Sequence, residues 1–181
     1  MKFLLRSVCN RLTFKVYHQS VNYEDYGDFG KEKEARGKIR SAAEKLISPD
    51  TVTIIDSANY IKGFRYELWC VARAASTTCC CVVPVSNYDD CRKRNSERQE
   101  KTYTKQQFEE LLLRWEEPDK NRRWESPLIP VLDEESIEED ILISAITGKG
   151  LSLINQVLTL NYEIQILNLN IYSTPTSSCY H

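Results

Sequence analysis

Two short apolar runs, 51–55 and 79–85, enclose a helical pattern, and that order restricts the fold more than any other feature of the sequence. The first run, Thr-Val-Thr-Ile-Ile, is β-branched throughout and ends on Asp56. Such residues suit a buried strand. Between the runs, residues 64–75 place Leu68, Trp69, Ala72 and Ala75 on one side of a helix. Strand, helix and strand in this spacing predict a β-α-β unit, which implies an α/β fold with a parallel sheet.

The remaining segments fit the same class. Residues 12–17 alternate apolar and polar, as a short strand does. From Lys31 the residues Ala35, Ile39, Ala42, Ala43 and Leu46 fall at helical spacing, and Ser48-Pro49-Asp50 stops that helix. Residues 106–115 form an amphipathic helical pattern carrying Phe108, Leu111, Leu112 and Trp115. Residues 128–132 read as a last strand, and 133–146 as a helix with an acidic first turn, which suits the positive end of its dipole. Residues 151–181 hold one charged residue, Glu163, and alternation over 161–172 predicts a sticky strand there. The chain divides into an atypical segment 1–19, an α/β portion 20–146 and a low-charge tail 147–181.

Composition excludes several classes. A chain of 181 residues, 41% hydrophobic, has the size of one domain with a real core. Its net charge of -2 argues against a globally basic nucleic-acid binder. No apolar run approaches the length of a membrane span, so no membrane partner is expected. The apolar start Phe3-Leu4-Leu5 is too short for a secretory signal, while the acid-free basic beginning is the kind of start that a transit peptide has. Seven cysteines include no C-x-x-C pair, and three are consecutive at 79–81. Successive strand residues alternate faces, so these thiols suit reduced, buried packing in a cytosolic protein better than a zinc site.

Parallel sheets bind ligands at the carboxyl ends of their strands, where Asp56 stands. A carboxylate there can order Mg²⁺, a hard cation that takes oxygen ligands. A turn or cap residue is the plainer alternative. Arg92, Arg94 and Arg98 follow the next strand on a charged helical segment. Arginines so placed can neutralise transferring phosphates; paired with Glu97 and Glu100, they would instead form a solvated face. A phosphate cradle would complete the site, yet none of the six glycines, at 27, 30, 37, 63, 148 and 150, belongs to a G-x-x-x-x-G-K-[ST] loop.

Residues 56–70, Asp-Ser-Ala-Asn-Tyr-Ile-Lys-Gly-Phe-Arg-Tyr-Glu-Leu-Trp-Cys, resemble the hallmark D-S-x-N-Y-I-K-G-[FY]-R-Y-x-L of the Elongator-associated "killer toxin insensitive twelve" family. Residues 32–37, 91–98 and 114–128 agree with further stretches of that family in order and spacing, so the resemblance covers about 20–146. It implies a P-loop kinase-like three-layer fold with a parallel sheet, related to phosphoseryl-tRNA kinase. It also implies binding of ATP and Mg²⁺, tRNA-dependent ATP hydrolysis, and partnership with the Elongator complex and tRNA in wobble-uridine modification. The corresponding location is cytoplasmic, with the nucleus as a second site. By the same resemblance Asp56 is the catalytic and Mg²⁺-ordering acid, Arg94 and Arg98 belong to a lid-like motif, and Lys62 and Arg65 border the nucleotide crevice. For Lys62 and Arg65, helix capping or an ion pair with Glu67 is the alternative.

The sequence departs from the family at both ends. Residues 1–17 contain no phosphate loop, and the similarity of motifs stops near Ile146, before the C-terminal helical domain that helps the family bind tRNA. Alternative splicing or an inaccurate gene prediction would replace both ends. The expectations are an incomplete fold with a gap between the strands at 51–55 and 79–85, filled by 12–17, 2–5 or the tail, and an impaired ATPase. A non-catalytic Elongator-binding form and a tRNA kinase of the phosphoseryl-tRNA type are the alternatives.

Overall fold

The computed structural model describes residues 13–18, 23, 26–99, 102–132 and 137–148. Its elements run β1 (Thr13–His18), α1 (Phe29–Leu46), β2 (Thr51–Asp56), α2 (Lys62–Ala74), β3 (Cys81–Val85), α3 (Tyr88–Glu97), α4 (Lys105–Leu113), β4 (Leu128–Leu132) and α5 (Glu139–Thr147). The expected α/β class with parallel strands is what the chain adopts. The alternation predicted over 161–172 lies outside the described residues, as do 2–5 and the tail from 149 on.

The strands form two parallel ribbons rather than one sheet among the described residues. β1 pairs with β2 from Thr13 opposite Thr51 to His18 opposite Asp56. β3 pairs with β4 from Cys81 opposite Leu128 to Val85 opposite Leu132. The strand at 12–17 therefore joins β2 without bridging it to β3, and β2 and β3 share no ladder. The unit whose strands pair directly is β1-α1-β2, with α1 packed on β2 and on α2.

Several boundaries differ from the sequence pattern for local reasons. Helix α1 starts at Phe29 because the Asp28 carboxylate accepts the Lys31 N–H at 3.0 Å and caps the first turn. Strand β3 starts at Cys81, whose N–H donates to the Pro127 carbonyl at 2.9 Å, and leaves Cys79 and Cys80 before the ladder. Helix α5 begins at Glu139 and keeps the acidic first turn through Glu139 and Asp140. Helix α4 carries a full capping box, with Thr104 and Gln107 each accepting from the other's backbone N–H.

Because the Cys81 N–H faces β4, alternation along β3 turns the N side of Pro84 away from β4. The same register turns Pro130 of β4 away from β3. Both prolines thus stand where no ladder donor is needed within the ribbon.

Ile129, Leu142 and Ala145 form a buried cluster between β4 and α5, with Cys80, Val131, Ile137, Ile141 and Ile146 packed around it. The five described cysteines are partly buried and in no disulfide, and of the three consecutive ones only Cys81 belongs to a strand. Burial pushes the Cys80 thiol up to about 12 and the Cys81 thiol up to about 11. Gly148 ends α5 in the left-handed region at φ 70°, and a Cβ there would stand 3.3 Å from Cγ2 of Thr78. Gly148→Ala is expected to cost about 1 kcal/mol in urea unfolding, since both the backbone and this contact must adjust.

Candidate functional site

Asp56 is the last residue of β2 and is exposed, so its carboxylate stands at the carboxyl end of a parallel strand. The loop that follows, 57–61, is fastened from several sides. Ser57 donates through its hydroxyl to Asn59 Oδ1 at 2.7 Å, and the Asn59 N–H donates to the Ser57 carbonyl at 2.9 Å. The Glu116 N–H donates to the Tyr60 carbonyl at 3.1 Å. Helix α2 lacks a capping side chain at Ile61, and the Glu116 carboxylate accepts the Lys62 N–H instead. A carboxylate at that point satisfies an orphan donor and suits the positive end of the helix dipole.

Arg65 lies beneath this loop and is 8% exposed. Its Nε donates to Glu125 Oε1 at 2.6 Å, Nη1 to the Asn59 carbonyl at 2.9 Å, and Nη2 to the Glu116 carbonyl at 2.7 Å. The other oxygen of Glu125 accepts the Asp119 N–H at 2.9 Å. One planar guanidinium therefore ties the loop at Asn59 to the distant stretch that holds Glu116 and Glu125. Arg65, expected at the nucleotide crevice by resemblance, is buried, and its guanidinium is engaged by Glu125 and the carbonyls of Asn59 and Glu116. Its acid partner is Glu125 rather than Glu67, which faces Arg40 at 3.5 Å. Lys62 is half-buried; the Asn121 N–H holds Asp119 below the usual carboxylate range, with smaller contributions from the Asn121 side chain, Arg122 and, last, Lys62.

A second buried group supports the same loop. Glu32 is 3% exposed on α1. It accepts from Arg114 Nη1 at 2.8 Å and Nη2 at 3.0 Å, from the Gly27 N–H at 3.2 Å, and from the Tyr60 hydroxyl. Burial raises the Glu32 carboxyl, but the hydrogen bonds of Arg114 and Tyr60 outweigh it and hold the group below its ordinary 4.5. Burial and the neighbouring carboxylate push the Tyr60 phenol up to about 12.

The arginine segment is α3. Arg92 clamps it to α4 through Glu109 at 2.8 and 3.0 Å, with Asp89 at 2.8 Å. Asn95 exchanges hydrogen bonds with the Tyr103 backbone at 2.9 and 3.2 Å. Arg94 is exposed and reaches Ser86 Oγ, just past the carboxyl end of β3, at 3.3 Å. Arg98 donates to the Tyr23 hydroxyl at 3.2 Å. Asp56 and Arg94 thus both stand at strand carboxyl ends, Arg98 turns toward Tyr23, and Arg65 belongs to the scaffold below.

Sequence reasoning missed Glu32, Tyr60, Arg114, Glu116 and Glu125 as the residues that shape the loop. A signal existed for Glu32, because it shares the α1 stripe with Ile39 and Ala43 at helical spacing. No such periodicity marks Glu125, which sits in a turn 60 residues from Arg65.

The sequence model of the family described as "Chromatin associated protein KTI12" matches residues 11–177. The chain belongs to this KTI12 family. The match runs past both ends of the stretch that carries the quoted motifs. A "Protein KTI12 homolog" of Oryza sativa subsp. indica is 44% identical over 131 residues, which are 68% of this chain and 44% of the rice protein. "Protein kti12" of Schizosaccharomyces pombe is 40% identical over 117 residues, 65% of this chain and 41% of that one. The chain therefore spans less than half the length of these KTI12 relatives. The crystal structure of Chaetomium thermophilum Kti12 in complex with ADP-AlF3 superposes with a TM-score of 0.72 at 28% identity, covering 81% of this chain and 89% of the other. The α/β fold of this chain is thus shared with a solved Kti12 structure.

Proposed function

We propose that this chain is a nucleotide-binding member of the KTI12 family that acts with the Elongator complex in modifying the wobble uridines of tRNA. The likeness to Chaetomium thermophilum Kti12, crystallised with ADP-AlF3, is the observation that carries this reading. The exposed carboxylate of Asp56 suits a Mg²⁺ held mainly by waters and nucleotide phosphates, the mode in which this cation takes few protein ligands. When bound, Mg²⁺ would neutralise phosphate charge. Arg94 places a guanidinium at the carboxyl end of β3 for the same purpose, with Arg98 one turn beyond it. Lys62 adds positive charge at the start of α2.

The 181 residues supply no G-x-x-x-x-G-K-[ST] loop as a backbone cradle for phosphates, so the proposed binding of nucleotide by these residues is weak and hydrolysis impaired. That feature also favours a second reading, a non-catalytic form that binds Elongator without ATP. Titration of the full chain with a fluorescent ATP analogue, with and without Mg²⁺, tests both. We expect Mg²⁺-dependent binding that Asp56→Asn weakens about tenfold, the scale of one charge-assisted contact. No binding at millimolar nucleotide, with retained capture of Elongator, would replace the first reading by the second. A phosphorylated tRNA product would overturn both in favour of a kinase.

A further inference from the structure

A cavity of about 220 Å³ opens at the amino ends of β3 and β4, where Thr77, Thr78 and Cys79 lead into one strand and Ser126 and Pro127 into the other. Asp56 and Arg94 stand at carboxyl ends, so this is not the candidate nucleotide site. The guanidiniums of Arg73 and Arg123 line the cavity and lie 5.7 and 5.2 Å from the centre of the Trp69 ring. Among the described residues neither has a carboxylate partner and no acid lines the cavity. The Ser126 and Thr77 hydroxyls also lack a partner among the described residues. Beyond the rim, Tyr66 stacks on Trp69 at 5.8 Å and Trp124 meets Tyr66 edge-on at 5.3 Å.

We propose that this cavity docks a carboxylate side chain of an acidic peptide segment belonging to a protein partner. Two planar guanidiniums held by an aromatic ring can grip a carboxylate by paired hydrogen bonds. Unpaired hydroxyls supply further donors. Trp, Tyr and Arg are the side chains that dominate protein interfaces, and here they surround a recess sized for one or two side chains. A phosphate backbone would need an extended basic groove to track it. Positive charge is confined here, because Arg122 next door is already paired with Asp119 at 3.3 Å.

The test uses fluorescence anisotropy on the full chain. The probes are a short fluorescein-labelled peptide of alternating leucine and glutamate, the same peptide with glutamine for glutamate, and an oligouridylate of equal negative charge. The glutamate peptide is expected to bind about tenfold more tightly than the glutamine peptide, and Arg73→Ala and Arg123→Ala each to weaken it about five- to tenfold. Both side chains are exposed, so the variants should fold, which circular dichroism checks. Arg122→Ala, which removes a cation outside the cavity, should change affinity by less than about twofold. Equal binding of the two peptides, an equal loss in all three arginine variants, or tighter oligouridylate binding through Arg73 and Arg123 would overturn the proposal.

Discussion

Arg65→Ala is expected to lower the unfolding free energy by about 3–5 kcal/mol, the cost of leaving one member of a buried ion pair alone. The loss has three parts, because the guanidinium serves the Glu125 carboxylate and the carbonyls of Asn59 and Glu116. Arg65→Lys should recover little of it: an ammonium on a flexible stem cannot reach three acceptors in one plane. Replacing both partners, as in Arg65→Met with Glu125→Leu, should be much less harmful than either single change to alanine, since no charge is then stranded. Urea unfolding of the four variants reads this directly, and an Arg65→Ala midpoint equal to the parent's would show that the network contributes nothing. A displaced Asn59 carbonyl also loosens the loop after Asp56, so nucleotide binding should weaken alongside stability.

The second large effect depends on pH. Glu32 has a folded carboxyl below its ordinary 4.5, so it favours the folded state above that value. The stabilisation is fully present at neutral pH and is lost as pH falls from about 4.5 through the folded value. Once protonated, Glu32 no longer balances the charge of Arg114, and α1, α4 and the loop at Tyr60 lose their common anchor. Glu32→Ala should therefore cost about 3 kcal/mol at neutral pH, within the range for breaking a buried pair. Glu32→Gln should flatten the acid limb of the stability curve by up to about 1.4 kcal/mol per pH unit, the slope of one proton. Thermal unfolding between neutral pH and about pH 3 measures both, and a limb unchanged in Glu32→Gln would assign the acid sensitivity to other carboxylates.

What the sequence made legible, and what it did not, follows from the range of the interactions. The strands 51–55 and 128–132 and the helices between them are local patterns, set by β-branched runs and helical periodicity, and they stand close to where they were expected. Asp56 at a strand end follows from the same pattern. The ladders are less local: parallel strands pair at a distance, and the alternation at 12–17 announces a strand without naming its neighbour. The scaffold of the site was least legible. An arginine beside a glutamate two positions on invites a local pair, yet burial rewarded the distant Glu125, whose carboxylate could also accept the Asp119 N–H. Motif resemblance singled out Arg65, but its burial and its distant acceptors are set by the fold and leave no local trace in the sequence.

The two prolines of the β3–β4 ribbon have an effect on how copies of the chain meet. Pro84 and Pro130 each remove an N–H from an outer margin of that ribbon, so a further strand laid against either side would find a break in the donor row. The β1–β2 ribbon has no proline in either strand and carries the runs Thr-Phe-Lys-Val-Tyr-His and Thr-Val-Thr-Ile-Ile-Asp. Among the described residues, strand addition is therefore less favoured at the second ribbon than at the first.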